Sequence, residues 1–118
     1  MGDETYQIDH DHPIPDLGVI DVNTVKNGGG SDLFIVIADP LSGDRRSLER
    51  LLRKVEVYLE FIKTDQFRRE SGVPTPKNTS IIVKINRDSD RLAFDLLERN
   101  KPWVKNNGAT LVVDTDLK

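Results

Sequence analysis

Residues 33–38 are Leu33-Phe34-Ile35-Val36-Ile37-Ala38, six consecutive apolar positions that Asp39-Pro40 brings to an end. A strand that is apolar at every position is typical of the centre of a sheet, or of a sheet covered on both faces. The segment before it contains Gly28-Gly29-Gly30, which favours a hairpin turn, and a β-branched run over 19–25, which predicts a partner strand. We therefore expect an antiparallel hairpin whose second strand lies inside the sheet.

The chain after Pro40 alternates between helical and strand patterns. Apolar side chains three and four residues apart predict a long helix over 44–68 and a shorter one over 90–100. β-branched runs predict strands over 79–85 and 109–114. The order is β-β-α-β-α-β, an α/β fold class. Because crossovers between parallel strands are right-handed, we expect a four-stranded mixed sheet of order 1-2-3-4, with the last three strands parallel and two main helices on one face.

The N-terminal residues differ from the rest of the chain in charge. The first sixteen hold five acidic side chains and no Lys or Arg. We expect a flexible acidic leader over 1–17 and a single α/β domain over 18–118. Asp9-His10-Asp11-His12 is dense in possible metal ligands, but a flexible tetrapeptide loses conformational entropy when it binds an ion. A solvated tail is therefore favoured, and no metal site is assigned.

Composition excludes several classes of function. The chain has no Cys, and both of its His residues lie in the leader, so thiol nucleophiles, thiolate metal sites and a His base are excluded from the predicted domain. A pI near 5.3 argues against nucleic acid as a partner. No run approaches the roughly 18 apolar residues of a membrane span, and no secretory signal is present. We predict a cytoplasmic protein and assign no catalytic residue. An enzyme is the less favoured interpretation.

The second face of the predicted sheet is a candidate contact surface. The apolar residues expected there are Phe34, Val36, Ile82 and Val112. This face is too apolar to stay bare, and three covers are open: the leader through Ile8, Ile14 and Leu17, a second copy of the chain, or another protein. If the helices instead lay on opposite faces, no uncovered surface would exist.

The long helix offers another candidate surface. Val57 and Phe61 project away from its buried stripe, onto a face that also carries Arg50 and Lys54. An apolar pair beside cations suggests a partner contact, although isolated exposed apolar residues are ordinary. Both surfaces predict association with another protein or with a second copy as a homodimer.

The carboxyl ends of the parallel strands give the alternative function. Open α/β sheets bind ligands there, and carboxylates can hold Mg²⁺ beside a phosphate that an Arg contacts. The same residue types are ordinary in turns and caps, and no Gly-rich strand-to-helix loop accompanies them. The alternative is binding or hydrolysis of a phosphorylated small molecule or nucleotide with Mg, whereas the main prediction has no cofactor. The residues concerned are Asp39, Arg45, Arg87, Asp88 and Asp114.

A resemblance covers most of residues 18–113. The segments that carry it are Gly18-Val19-Ile20-Asp21-Val22, Leu51-Leu52, Lys54, Tyr58-Leu59, Phe61-Ile62, Ile81-Ile82-Val83 and Leu96-Leu97-Glu98. Together they resemble a family of small uncharacterised bacterial proteins, a domain of unknown function with a ββαβαβ pattern. The resemblance implies a bacterial source and a single domain, and it transfers no catalytic residues. The function predicted from the sequence is thus non-enzymatic protein–protein association.

Overall fold

The computed structural model describes residues 8–116, which form four strands and four helices. The strands are β1 (Val22–Val25), β2 (Ser31–Ile37), β3 (Thr79–Ile85) and β4 (Thr110–Asp114). The helices are α1 (Arg45–Ile62), α2 (Asp65–Ser71), α3 (Arg91–Arg99) and α4 (Lys101–Asn106). None of the helices in this part of the chain is long and apolar enough to cross a membrane.

The strands form one sheet in the order β1-β2-β3-β4. β1 pairs antiparallel with β2, and β2, β3 and β4 are mutually parallel. The predicted α/β fold class, the sheet order and the strand directions are therefore confirmed. The long helix predicted over 44–68 is divided in two, because Thr64 caps α2 by accepting a hydrogen bond from the Phe67 N–H at 3.2 Å.

One face of the sheet, which we call the covered face, is buried beneath the helices. Alternate strand positions point to it, and all four helices contribute buried residues to its core. The fully buried apolar strand residues on this face include Leu33, Ile35, Ile37, Ile81, Val83 and Ile85. Each buried methylene group contributes roughly 0.8 kcal/mol, so this face supplies most of the stability of the fold.

Residues 8–17, which we call the docked segment, pack against α1. The side chains of Ile14 and Leu17 are 2% and 0% exposed and belong to the main core. Arg50 donates hydrogen bonds from Nε and Nη2 to the Ile14 carbonyl oxygen at 3.0 and 2.6 Å. The sequence predicts a flexible leader over 1–17, whereas in the structure residues 14–17 pack on α1 and cations of α1 bind their carbonyl groups. The part of that prediction that concerns residues 1–7 lies outside the described residues.

The turn between β1 and β2 requires a glycine at position 30 because another part of the main chain lies against it. Gly30 has a φ of +87°, and a Cβ atom there would lie 2.0 Å from the carbonyl oxygen of Asn78. The Gly30 N–H also donates to the Ser71 carbonyl oxygen at 2.5 Å. Gly30 therefore lets the hairpin approach the α2–β3 connection closely.

Candidate functional site

The other face of the sheet, which we call the open face, carries an apolar row across all four strands. Val22 is paired with Phe34, Phe34 with Ile82, and Ile82 with Val112. Paired residues on neighbouring strands point to the same face. The register therefore aligns one apolar side chain from every strand, and we call Val22, Phe34, Ile82 and Val112 the apolar row.

The apolar row is only partly covered. Val22 at one edge is 45% exposed and Val112 at the other is 39% exposed. Phe34 and Ile82 are half-buried between them, and Val36 on the same face is 41% exposed. Of the four residues named from the sequence for this face, Val36 and Val112 are exposed, whereas Phe34 and Ile82 are half-buried. Ile14 and Leu17 are buried in the core, while the docked segment reaches the edge of the open face at Val36, with which Ile14, Pro15 and Asp16 line one pocket.

Polar and charged side chains flank the apolar row on both sides. Thr24, Asp32, Ser80 and Thr110 form the neighbouring row at one end. At the other end Lys84 Nζ lies 3.5 Å from the Asp114 carboxylate. A hydrogen bond from the Asp116 N–H, together with the Lys84 charge, holds the pKa of Asp114 below its usual value. An apolar centre with a polar rim is the usual anatomy of a protein–protein interface.

Two of the four helix residues predicted to contact a partner lie inside the protein. Arg50 is 0% exposed and Lys54 is 2% exposed. Lys54 Nζ donates to the carbonyl oxygens of Asp16 and Val19 at 2.5 and 2.7 Å. These cations therefore do not line an exposed helix face. The physical reason is that their side of α1 receives the docked segment, whose carbonyl oxygens attract them.

The apolar pair on the same helix is not freely exposed either. Val57 and Phe61 are both half-buried. The Phe61 ring packs edge-on against the Phe67 ring, with centroids 5.5 Å apart, which is a favourable aromatic geometry. Phe61 thus joins α1 to α2, and the open face remains the better candidate surface.

A polar network that the sequence did not reveal supports the edge of the open face. The Asp21 carboxylate accepts from Lys54 Nζ and from the Val36 N–H, each at 3.0 Å. The Tyr58 hydroxyl accepts from the Asp21 N–H at 2.8 Å and donates to the Phe34 carbonyl oxygen at 2.6 Å. Burial raises the pKa of Tyr58, which keeps this hydroxyl a donor. The network thus supplies hydrogen bonds to the main chain of β2 where its pairing with β1 ends, at the Val22–Phe34 pair.

No family model, curated protein or solved structure matches the chain. The resemblance to small bacterial proteins therefore stays a prediction. Function has to be inferred from the surfaces that the fold presents.

The strand-end residues predicted as a phosphate and Mg site have other partners or are exposed. Asp114 pairs with Lys84 and Arg45 pairs with Glu49 at 3.1 Å. Asp39, Arg87 and Asp88 are exposed. Within residues 8–116, no three His, Asp or Glu side chains are grouped to hold one metal ion.

The loops at the same end of the sheet are closed by hydrogen bonds to one another. The Leu41 N–H donates to the Ser89 hydroxyl at 2.9 Å, and Asn86 Nδ2 donates to the Ala38 carbonyl oxygen at 2.8 Å. The Asp90 N–H donates to the Leu41 carbonyl oxygen at 2.8 Å. The polar residues at these strand ends thus fasten the β2–α1 loop to the β3–α3 loop, the ordinary structural role of such residues.

Proposed function

We propose that this protein acts by protein–protein association, in which a second copy of the chain binds to the open face. The observation that supports the proposal is the apolar row, with Val22 and Val112 39 to 45% exposed at its ends. Sheets built from parallel strands normally have both faces covered, because crossover connections place helices there. Here three strands are parallel, yet the open face lacks a layer among residues 8–116.

A second copy fits because the apolar row can match itself. A twofold dimer brings the same patch of both subunits together, so the patch must be self-complementary. In such a dimer the two open faces oppose each other, and the twofold axis lies between the two sheets. The apolar row of one copy then lies over the apolar row of the other copy if the axis is parallel either to the row or to the strands. The rim carries both signs of charge, from Asp32, Lys84 and Asp114, so neither arrangement brings only like charges together.

The size of the open face suits a dimer of modest affinity. The strands contain four to seven residues, and with spacings of about 4.8 Å between strands and about 3.3 Å per residue the flat footprint is roughly 400 Å². Side-chain relief adds accessible area to this footprint, whereas standard interfaces bury about 800 Å² per partner. We therefore expect a dissociation constant on the order of micromolar.

The substitution Val112→Glu tests the proposal. Val112 lies on edge strand β4 and is 39% exposed, so the monomer tolerates a carboxylate that stays hydrated. In the dimer that carboxylate would lose its water, which costs several kcal/mol. Analytical ultracentrifugation over roughly 1 to 100 μM should show wild-type dimers and a dissociation constant raised at least about 100-fold in the variant.

Leu92→Glu is the matched control, because Leu92 is 52% exposed but lies on α3 in the helical layer. It should leave the dissociation constant unchanged. A wild-type protein that is monomeric throughout the concentration range would contradict self-association. If Leu92→Glu weakened the dimer and Val112→Glu did not, the contact would instead lie near the groove between α1 and α3. This groove has a volume of about 390 Å³ and is lined by Leu48, Leu52 and Leu96.

The bacterial source, the cytoplasmic location and the absence of catalysis belong to the same proposal. They rest on the sequence pattern, on the lack of Cys and on the confinement of both His residues to the N-terminal 12 residues. An association role needs no catalytic group, so these predictions agree with the apolar row as the working surface.

A further inference from the structure

The docked segment is held on α1 by contacts that meet at the imidazole of His12. The segment closes on itself through a bridge between Ile8 and Asp16 and through the Asp9 N–H, which donates to the Pro15 carbonyl oxygen at 2.7 Å. Inside this closed loop, His12 Nδ1 lies 2.9 Å from the Ile14 nitrogen. His12 Nε2 lies 2.9 Å from the Ser47 hydroxyl oxygen on α1. The imidazole thus joins the segment to the helix.

The hydrogen bonds determine which nitrogen of His12 carries the proton. The Ile14 N–H can only donate, so Nδ1 must accept and be unprotonated. The proton of the neutral imidazole therefore lies on Nε2, which donates to the Ser47 oxygen. Ser47 in turn makes a side-chain hydrogen bond to the Asp44 carboxylate, the N-cap of α1. Because Nε2 donates, His12 cannot act as a base toward Ser47.

Charged groups from both packed elements face the imidazole. Arg46 and Arg50 of α1 oppose a positive charge on His12, whereas Asp9 of the docked segment and Asp44 of α1 favour it. Burial, followed by the Arg50 charge, places the pKa of His12 below its ordinary value. The first turn of α1 also opposes a cation, since the amino end of a helix carries a partial positive charge.

We propose that the docked segment is a pH-operated latch, which opens when His12 takes up a second proton. The only nitrogen free to take that proton is Nδ1, where it would face the Ile14 N–H. Two donors cannot share this contact, so Ile14 must move away. Ile14 is 2% exposed and its carbonyl oxygen is bound by Arg50. Its movement therefore withdraws the segment from the core and from α1.

The direction of the pH dependence follows from the protons bound in each state. The open segment carries an ordinary His that titrates at about pH 6.5, whereas the closed segment requires the neutral form. The closed state therefore binds fewer protons, and its population falls as the pH drops below about 6.5, by up to about tenfold per pH unit. At higher pH the latch stays closed.

Nearby carboxylates do not titrate in the same range. Hydrogen bonds from Ser47 lower the pKa of Asp44. Burial acts to raise the pKa of Asp9, but the Asp11 N–H and the Arg46 charge outweigh burial and leave it below its usual value. Both carboxylates stay ionised above about pH 5. Among the groups that face the imidazole, the interval from about pH 5 to 7 therefore isolates His12, and His10→Gln separates the contribution of the other histidine of the segment.

Nuclear magnetic resonance on the wild-type chain tests the latch. The ¹⁵N shifts of the His12 imidazole should show it protonated on Nε2 at neutral pH and titrating below the ordinary value of about 6.5. The protection of the Ile14 amide against hydrogen exchange, corrected for intrinsic rates, should fall by up to about tenfold per pH unit below pH 6.5. The Val83 amide in the sheet should keep its protection, which distinguishes local opening from unfolding.

The latch is overturned if His12 titrates at or above the ordinary value of about 6.5, or if Ile14 protection stays constant while His12 becomes protonated. His12→Gln keeps a side-chain acceptor but cannot take up the proton, so Ile14 protection should no longer depend on pH. His10→Gln should keep the wild-type profile. A wild-type profile in His12→Gln would also overturn the proposal. If that variant fails to dock, the wild-type titration alone decides.

Discussion

The covered face and the open face are built from the same strands but contribute differently to the protein. Val83 and Ile35 on the covered face are fully buried, whereas Val36 and Val112 on the open face are 41% and 39% exposed. Both faces contain β-branched side chains, so composition alone does not distinguish them. The comparison shows that the covered face supplies folding energy, while the open face keeps apolar area that association can bury.

The largest effect is expected where the docked segment joins the covered face. Lys54→Met keeps the aliphatic stem but removes the ammonium donor from the Asp21 carboxylate and from two carbonyl oxygens. Lys54 is buried but the Asp21 side chain is 26% exposed, so the loss should lie near the lower end of the roughly 3 to 5 kcal/mol that breaking a buried ion pair costs. Urea denaturation should show that loss in the free energy of unfolding.

Arg53→Met is the control for Lys54→Met, since it also removes a cation from α1. Arg53 pairs with Glu56 and Glu60 at 2.7 and 3.3 Å, and its side chain is 36% exposed. Exposed pairs contribute about 0 to 1 kcal/mol, so this variant should lose less than about 1 kcal/mol. Equal losses in both variants would contradict a special role for Lys54.

A smaller effect is expected from the same substitution made on each face. Val83→Ala removes buried methyl groups and leaves a cavity, which should destabilise the fold by about 2 to 3 kcal/mol. Val36→Ala on the open face should cost less than about 1 kcal/mol when the protein is dilute enough to be monomeric. Thermal or urea unfolding at protein concentrations below the dissociation constant of the dimer measures both losses. Similar losses would indicate that the open face is already covered in the monomer.

Much of the open face could be predicted from the sequence because it follows from local rules. The hairpin turn and the right-handed crossovers determine the strand order, and the alternation of side chains then places Phe34, Val36, Ile82 and Val112 together. The sequence could not predict that Val22 belongs to the apolar row, because its place there depends on the register between β1 and β2. A pattern of β-branched residues over 19–25 does not determine that register.

The position of the helix cations could not be predicted for a different reason. Arg50 and Lys54 were expected on an exposed face because charged side chains usually lie there. Their partners include the main-chain carbonyl oxygens of Ile14, Asp16 and Val19, and such acceptors leave no trace in the charge pattern. The abundance of acidic side chains in that segment also indicated solvation, although Ile14 and Leu17 gave an apolar signal for docking.

A smaller effect than that of Val83→Ala is expected at Tyr58, which reaches from α1 to the edge of the open face. Tyr58→Phe leaves the Asp21 N–H and the Phe34 carbonyl oxygen without the hydroxyl between them. The loss of such hydrogen bonds should cost about 1 to 2 kcal/mol in urea denaturation. Because Phe34 belongs to the apolar row, a looser edge should also weaken the dimer, by less than about tenfold. A stability change with an unaltered dissociation constant would show that the row keeps its shape without this support, and would separate the edge of β2 from the contact surface.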